Sequence, residues 1–234
     1  MVNNVQQRVV IVTGAFGALG RAVARKFAAS GAAVGLLDRG AVPAELAVEF
    51  EGPHLLIPGV DLADSDSTAK AIGSTVDRTS RIDVLVNVAG GFRWETLESG
   101  DIVTWELMFA MNLKTAVNAS KAVLPHLLLR GGSIVNIGAG AAGRAQAGMG
   151  AYTASKAGVQ RLTEALAEEL KDRNITVNCV LPGVIDTPQN RATMAGTDFS
   201  RWVAPAAIAD VIYFLASDAA RAVNGASIRV FGRG

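Results

Sequence analysis

The sequence predicts an α/β protein: a doubly wound, parallel sheet of seven strands in a single domain, 1–234. Three observations carry this expectation. Short apolar runs rich in β-branched residues alternate with longer helical patterns from one end of the chain to the other. The runs lack the strict in/out alternation of a half-exposed sheet, as strands covered on both faces should. No Pro- or Ser-rich linker, charge block or internal repeat interrupts the alternation.

In chain order, the strand runs are Arg8–Thr13, Ala33–Leu37, Leu55–Val60, Ile82–Val88, Gly132–Ile137, Ile175–Leu181 and Ser227–Phe231. Helical patterns occupy Leu19–Ser30, Ser65–Thr79, Ile102–Leu129, Gly150–Arg173 and Pro205–Ser217. In such sheets ligands bind beyond the carboxyl ends of the strands, where strand order reverses. Chemistry is therefore expected just after each run or on the helix that follows it.

Half of the residues are apolar and the formal net charge is +1. That balance gives no electrostatic case for nucleic acid or an acidic membrane surface as a partner. No apolar stretch is long enough to cross a bilayer, and no charged region precedes a cleavable apolar segment. A soluble, cytoplasmic protein acting on a small-molecule substrate is the expectation. The single cysteine, Cys179, has no internal partner and lies in ITVNCVL, where a buried structural thiol fits. No metal site is expected.

The stretch VVIVT-GAFGALG-RAVA reads as strand, glycine-rich turn and helix start. Gly14, Gly17 and Gly20 let the backbone turn tightly and approach a pyrophosphate, with Phe16 and Leu19 between them. The helix then points free N–H groups and its positive end at that anion. Asp38 ends the next strand, 18 residues after Gly20. A carboxylate there accepts from both ribose hydroxyls of NAD and repels the extra phosphate of NADP. Arg39 could offset that repulsion, but the glycine turn carries no basic residue, so NAD is the expected cofactor. A tight turn capped by Asp38 would use the same residues without any ligand.

Tyr152 and Lys156, in AYTASKAG, fall four apart on a helix and share one face. An ammonium beside a phenol is expected to lower its pKa, and such a pair can move a proton to or from a substrate heteroatom. On an ordinary amphipathic helix the same spacing means nothing, so its weight comes from the dinucleotide turn upstream. Asn87 ends a buried strand, and Asn112 interrupts an otherwise apolar helix. There Asn112 either does chemistry or fills a kink.

Together these segments resemble the short-chain dehydrogenase/reductase family over nearly the whole chain. Thr13–Gly20 is similar to its glycine loop, Asn87–Gly90 to its NNAG turn, and Tyr152 with Lys156 to its YxxxK pair. The resemblance implies a Rossmann-type sheet, with Tyr152, Lys156 and Asn112 catalytic. It implies that Asp61 and Leu62 flank the adenine, and that Asn87, Ala89 and Gly90 line the cofactor. Pro182, Gly183, Ile185 and Thr187 then face the nicotinamide, Lys156 also holds its ribose, and Asn112 holds a water linked to Lys156. A homodimer or homotetramer through the long helices Ile102–Leu129 and Gly150–Arg173 follows from the same resemblance.

Three departures stand out. Ala18 replaces the loop's middle glycine, and Val88 the second asparagine of the NNAG turn. Ala139 stands where the family has its serine, and no Ser or Thr occurs from Ile134 to Ala151. One of two expected donors to the substrate oxygen is gone. The dihydropteridine reductase subgroup shares that loss. Gly17–Gly20, Val88–Phe92 and Asp186–Trp202 are similar to it, whereas Asn112 and its helix resemble the wider family. The expectation is an NADH-dependent reductase of a small, activated C=O or C=N compound, of which a quinonoid dihydropterin is one. The alternatives are a general carbonyl or secondary-alcohol dehydrogenase working with Tyr152 alone, and a non-catalytic dinucleotide-binding regulator. The short segment between Thr187 and Pro205, with Met194, Phe199 and Trp202, suits a compact substrate.

Overall fold

The computed structural model describes residues 7–233. Seven parallel strands form one sheet: β1 (Val9–Thr13), β2 (Ala33–Leu37), β3 (Leu55–Ile57), β4 (Val84–Asn87), β5 (Gly132–Ile137), β6 (Ile175–Pro182) and β7 (Ser227–Val230). Their spatial order is β3-β2-β1-β4-β5-β6-β7, so chain direction across the sheet reverses between β1 and β4. The central strands are buried along their whole length, which is why their sequences read as unbroken apolar runs. At the edge, β7 alternates between exposed and half-buried residues instead.

Helices cover both faces. On one side α1 (Ala18–Ala29), α2 (Ala44–Glu49) and α8 (Pro205–Leu215) enclose a core around Phe27, Val34, Leu46 and Ile212. On the other, α3 (Ser65–Thr79), α5 (Thr115–Leu127) and α6 (Gly150–Leu170) enclose Ile11, Leu85, Val123 and Leu170. Starts and stops follow local chemistry. Asp64 accepts from the Ser67 amide to cap α3, which ends on left-handed Ser80. Asp101 caps α4 (Ile102–Phe109) through the Val103 amide, and Thr187 caps α7 (Pro188–Thr193) through the Asn190 amide.

Two expectations need correction. The helix expected over Ile102–Leu129 is three pieces, because a π-turn at Ala110–Lys114 separates α4 from α5. Its cause is Asn112, whose buried side chain bonds groups outside the helix. The short helices α2 and α7 escaped notice because six residues hold too little periodicity to be seen. Strand and helix ends otherwise differ from expectation by at most three residues, the largest gap being β3, which stops at Ile57 rather than Val60.

Candidate active site

Register places a row of polar residues across the carboxyl end of the sheet: Thr13 beside Asn87, Asn87 beside Asn136, Asn136 beside Cys179. The Asn87 amide donates to Asn136 Oδ1 (2.9 Å) and Ser120 Oγ (3.2 Å), and Asn136 donates to Thr163 Oγ1 (2.9 Å). Asn87 Oδ1 is buried with no partner among the described residues. Thr13 Oγ1 accepts from the Val88 and Ala89 amides, at 3.1 and 3.2 Å, and so pins the turn after β4 to the end of β1.

The glycine turn is packed as its sequence requires. Gly14 has φ +62°, and a Cβ there would lie 2.8 Å from Ala89 Cα. A Cβ on Gly20 would come within 2.2 Å of the Gly14 carbonyl oxygen. Gly17, which precedes α1, has only that oxygen nearby, at 3.5 Å, so its outward side is open. A tight turn with one bare backbone face at a helix N-terminus fits a pyrophosphate. Phe16 and Leu19 are buried beneath it. Asp38 lies beside the turn. Its Oδ2 accepts from the Phe16 amide and its Oδ1 from the Gly40 amide, each at 2.9 Å. The carboxylate is thereby oriented, with lone pairs to spare for further donors.

Asp61 and Leu62 follow β3. The Asp61 amide donates to Ser67 Oγ, and the Leu62 carbonyl accepts from Asn118 Nδ2 at 2.9 Å, which ties this corner to α5. Beyond β6, the Gly183 amide donates to the Val230 carbonyl (3.0 Å) and Ile185 bridges to Val203. Pro182, Gly183, Ile185 and Thr187 thus lie at or just beyond the carboxyl end of β6.

Lys156, Asn112 and Ser155 lie close to one another and to the Tyr152 backbone. Lys156 is buried and its Nζ donates to the Ile137 carbonyl (2.8 Å). Asn112 Oδ1 accepts from the Gly91 amide (2.8 Å), and its Nδ2 donates to Ser155 Oγ (2.9 Å). That hydroxyl donates in turn to the Tyr152 carbonyl (2.7 Å). A Cβ on Gly90 would lie 2.6 Å from Asn112 Oδ1 and 3.2 Å from Lys156 Nζ, so both side chains converge on that glycine. The Phe92 ring meets Tyr152 edge to face, centroids 4.9 Å apart. Burial pushes the Tyr152 phenol up to about 12 and the Lys156 ammonium down to about 8. The expected lowering of the phenol by its lysine is overturned, because desolvation of both groups favours their neutral forms. Burial likewise raises Cys179 to about 11, so it is a neutral thiol.

Ala139 is buried in the turn after β5, with no hydroxyl on either side. Its neighbours are hemmed in: a Cβ on Gly138 would meet Leu181 at 2.5 Å, and one on Gly140 the Phe231 ring at 2.3 Å. Sequence reasoning missed Ser155 and Trp94. The position of Ser155, three residues after Tyr152 on one helix, was the available signal for its bond to the Tyr152 carbonyl.

Comparison with known proteins agrees with this arrangement. The sequence pattern of the short chain dehydrogenase family matches residues 8–197. The chain is similar to the 3-oxoacyl-acyl-carrier-protein reductase FabG of Thermotoga maritima, 35% identical over 96% of each chain. It is 36% identical to the cis-4-hydroxycyclohexanecarboxylate dehydrogenase of Sinomonas cyclohexanicum, over 97% of this chain and 96% of the other. To the acetoacetyl-CoA reductase of Allochromatium vinosum it is 30% identical, over 96% and 97%.

Proposed function

Because the chain belongs to the short-chain dehydrogenase/reductase family, we propose that it is an NAD(H)-dependent oxidoreductase reducing a small, activated C=O or C=N compound, with Tyr152 as proton donor. The observation that carries this reading is the convergence of the Lys156 and Asn112 side chains on Gly90, with Asn112 tied through Ser155 to the Tyr152 backbone, next to a glycine turn fit for a dinucleotide. A binder without chemistry has no use for that cluster.

The bound dinucleotide supplies hydride. Gly14, Phe16, Gly17, Leu19 and Gly20 hold its pyrophosphate side and Asp38 the adenosine ribose, which selects NAD over NADP. Asp61 and Leu62 flank the adenine, and Asn87, Ala89 and Gly90 line the cofactor. Pro182, Gly183, Ile185 and Thr187 hold the nicotinamide, with Lys156 on its ribose. Held near 12, the Tyr152 phenol stays protonated at neutral pH and is ready to donate to the substrate oxygen or nitrogen. Lys156, near 8, remains mostly ammonium at pH 7. Asn112 fixes the Gly91 backbone against α6 through Ser155, so that the two walls of the site keep their spacing.

Ala139 lacks the hydroxyl that the family's serine would present, which leaves Tyr152 as the donor to the substrate in this reading. A substrate that is already electron-poor tolerates that loss, and a quinonoid dihydropterin is such a compound. The relatives' printed names, a 3-oxoacyl reductase and a hydroxycyclohexanecarboxylate dehydrogenase, favour a second reading as a general carbonyl or secondary-alcohol dehydrogenase. No helix among the described residues is long and apolar enough to cross a membrane, which supports a cytoplasmic enzyme. Ile102, Trp105, Phe109 and Val117, exposed on α4 and α5, support a homodimer or homotetramer formed through those helices.

The test is a panel with NADH and NADPH that includes quinonoid dihydropterin, acetoacetyl-CoA and a cyclic secondary alcohol. Reduction of the pterin with NADH, lost in Tyr152→Phe while NADH binding persists, is the expected result. Full activity of Tyr152→Phe on the best substrate refutes the proton-donor role.

A further inference from the structure

Tyr152 is the third residue of α6, in a first turn that has no side-chain cap: Met149 occupies the cap position and its side chain bonds none of the free amides. An uncapped first turn frays unless something else holds it. Here the hold comes from another loop. Downstream of β4, Trp94 Nε1 donates to the Ala147 carbonyl (3.1 Å) and the Glu95 amide donates to the Gly148 carbonyl (2.8 Å). The indole lies directly on Gly148, where a Cβ would fall 2.2 Å from Trp94 Cε2; the glycine adopts φ +74°. Two residues earlier on the same loop, Phe92 packs edge to face against the Tyr152 ring itself.

The loop is moored at both ends. At its start, the Gly91 amide bonds Asn112 Oδ1 (2.8 Å). At its end, the Glu95 carboxylate accepts from the Asp101 amide and from buried Thr104 Oγ1, which ties it to the first turn of α4. Those bonds hold the Glu95 carboxyl below the usual carboxylate range. Meanwhile Phe92 and Trp94 are both more than half exposed on their outer sides. Two large aromatics left so exposed are not core residues. Their contacts run to one place, the start of α6.

We propose that Phe92–Glu95 is a strap that anchors the segment leading into the uncapped first turn of α6, and that Trp94 is its positioning residue, setting the reach of the Tyr152 phenol. This rests on the reading of Tyr152 as proton donor. Trp94 touches no reacting group itself. It acts through Ala147 and Gly148, five and four residues ahead of Tyr152.

Amide hydrogen exchange tests the strap without any substrate. In Trp94→Ala, the amides of Glu95, Met149 and Thr153 should exchange about tenfold faster or more, while those of β1 and of Leu166–Leu170 stay within about twofold. Trp94→Phe keeps a ring on Gly148 but loses the indole N–H bond, so it should fall between wild type and Trp94→Ala. If Trp94→Ala does not fold, Trp94→Phe carries the same comparison. On the best substrate, kcat should drop about tenfold in Trp94→Ala with the KM for NADH changed less than about twofold. Unchanged exchange at those three amides overturns the proposal, and so does a uniform rise across α6 and β1, which would mark a merely structural residue. If exchange responds as expected but Tyr152→Phe keeps full turnover, the strap stands and the proton-donor reading is what fails.

Discussion

Replacing Lys156 by methionine should stabilise the dinucleotide-free protein at neutral pH while abolishing turnover. The ammonium is buried among apolar groups, and burial drops it from 10.5 to about 8. Below pH 8 both folded and unfolded chains carry the proton, and the folded state bears the whole desolvation cost. Between about 8 and 10.5 the unfolded chain binds the proton and the folded chain does not, so this group makes stability rise with pH. A shift of about 2.5 pH units corresponds to about 3 kcal/mol of destabilisation at pH 7. The bond from Nζ to the Ile137 carbonyl offsets about 1–1.5 kcal/mol of that, since methionine leaves this acceptor unpaired. The net gain in Lys156→Met is about 1.5–2 kcal/mol, a Tm rise of about 3–8 °C for a chain of this length. Wild type and variant are compared by calorimetry without cofactor at pH 7, 8 and 9. The gap should shrink by about 1 kcal/mol between pH 8 and 9. Tyr152, held high in the folded state, costs stability above about pH 10 in both proteins, and Cys179 does so above about pH 9, where only wild type has the opposing pull of Lys156 on the thiol. A variant less stable than wild type at pH 7, or a gap indifferent to pH, refutes the reasoning.

Asp38→Ala should erode a preference for NADH over NADPH in fluorescence titration; equal affinity of the unaltered protein for both removes the basis for NAD. Ala139→Ser should raise kcat/KM on a simple ketone by up to about 10²–10³, the contribution of one donor, and change quinonoid dihydropterin reduction little. Brisk wild-type turnover of simple ketones that the serine leaves unaltered would favour the general dehydrogenase. Gly90→Ala places a Cβ 2.6 Å from Asn112 Oδ1 and should cut kcat at least about tenfold, with Tm lowered by only a few degrees; wild-type kinetics in that variant would mean the convergence at Gly90 is without consequence.

The sheet was legible because each strand is a buried, β-branched run closed by a turn. β2 and β5, with ends as expected, are cases where polar or glycine residues bracket the run on both sides. The glycine turn and the Tyr152/Lys156 spacing could be read because one backbone turn and one helix face fix them locally. What stayed hidden depends on contacts between distant segments. Asn112 could be singled out as odd, but not its partners Gly91 and Ser155, which arrive from β4 and α6. The pKa of Tyr152 was misjudged for the same reason: spacing reports that an ammonium is near, while burial, which decides the sign, comes from Phe92 and the packed sheet. Trp94 and Gly148 are 54 residues apart, and nothing local in either announces the other.

The turn Gly138-Ala139-Gly140 has a consequence for the protein's mutational future. Leu181 stands against the first glycine and the Phe231 ring against the last, so a side chain at either must push a neighbour aside. Only the middle residue already carries a Cβ in a place prepared for it. Any alanine codon becomes a serine codon by one base change. The second hydroxyl is therefore a single mutational step away, and that step lies at one position rather than being spread over the loop. A laboratory selection for simple ketone reduction should find it repeatedly.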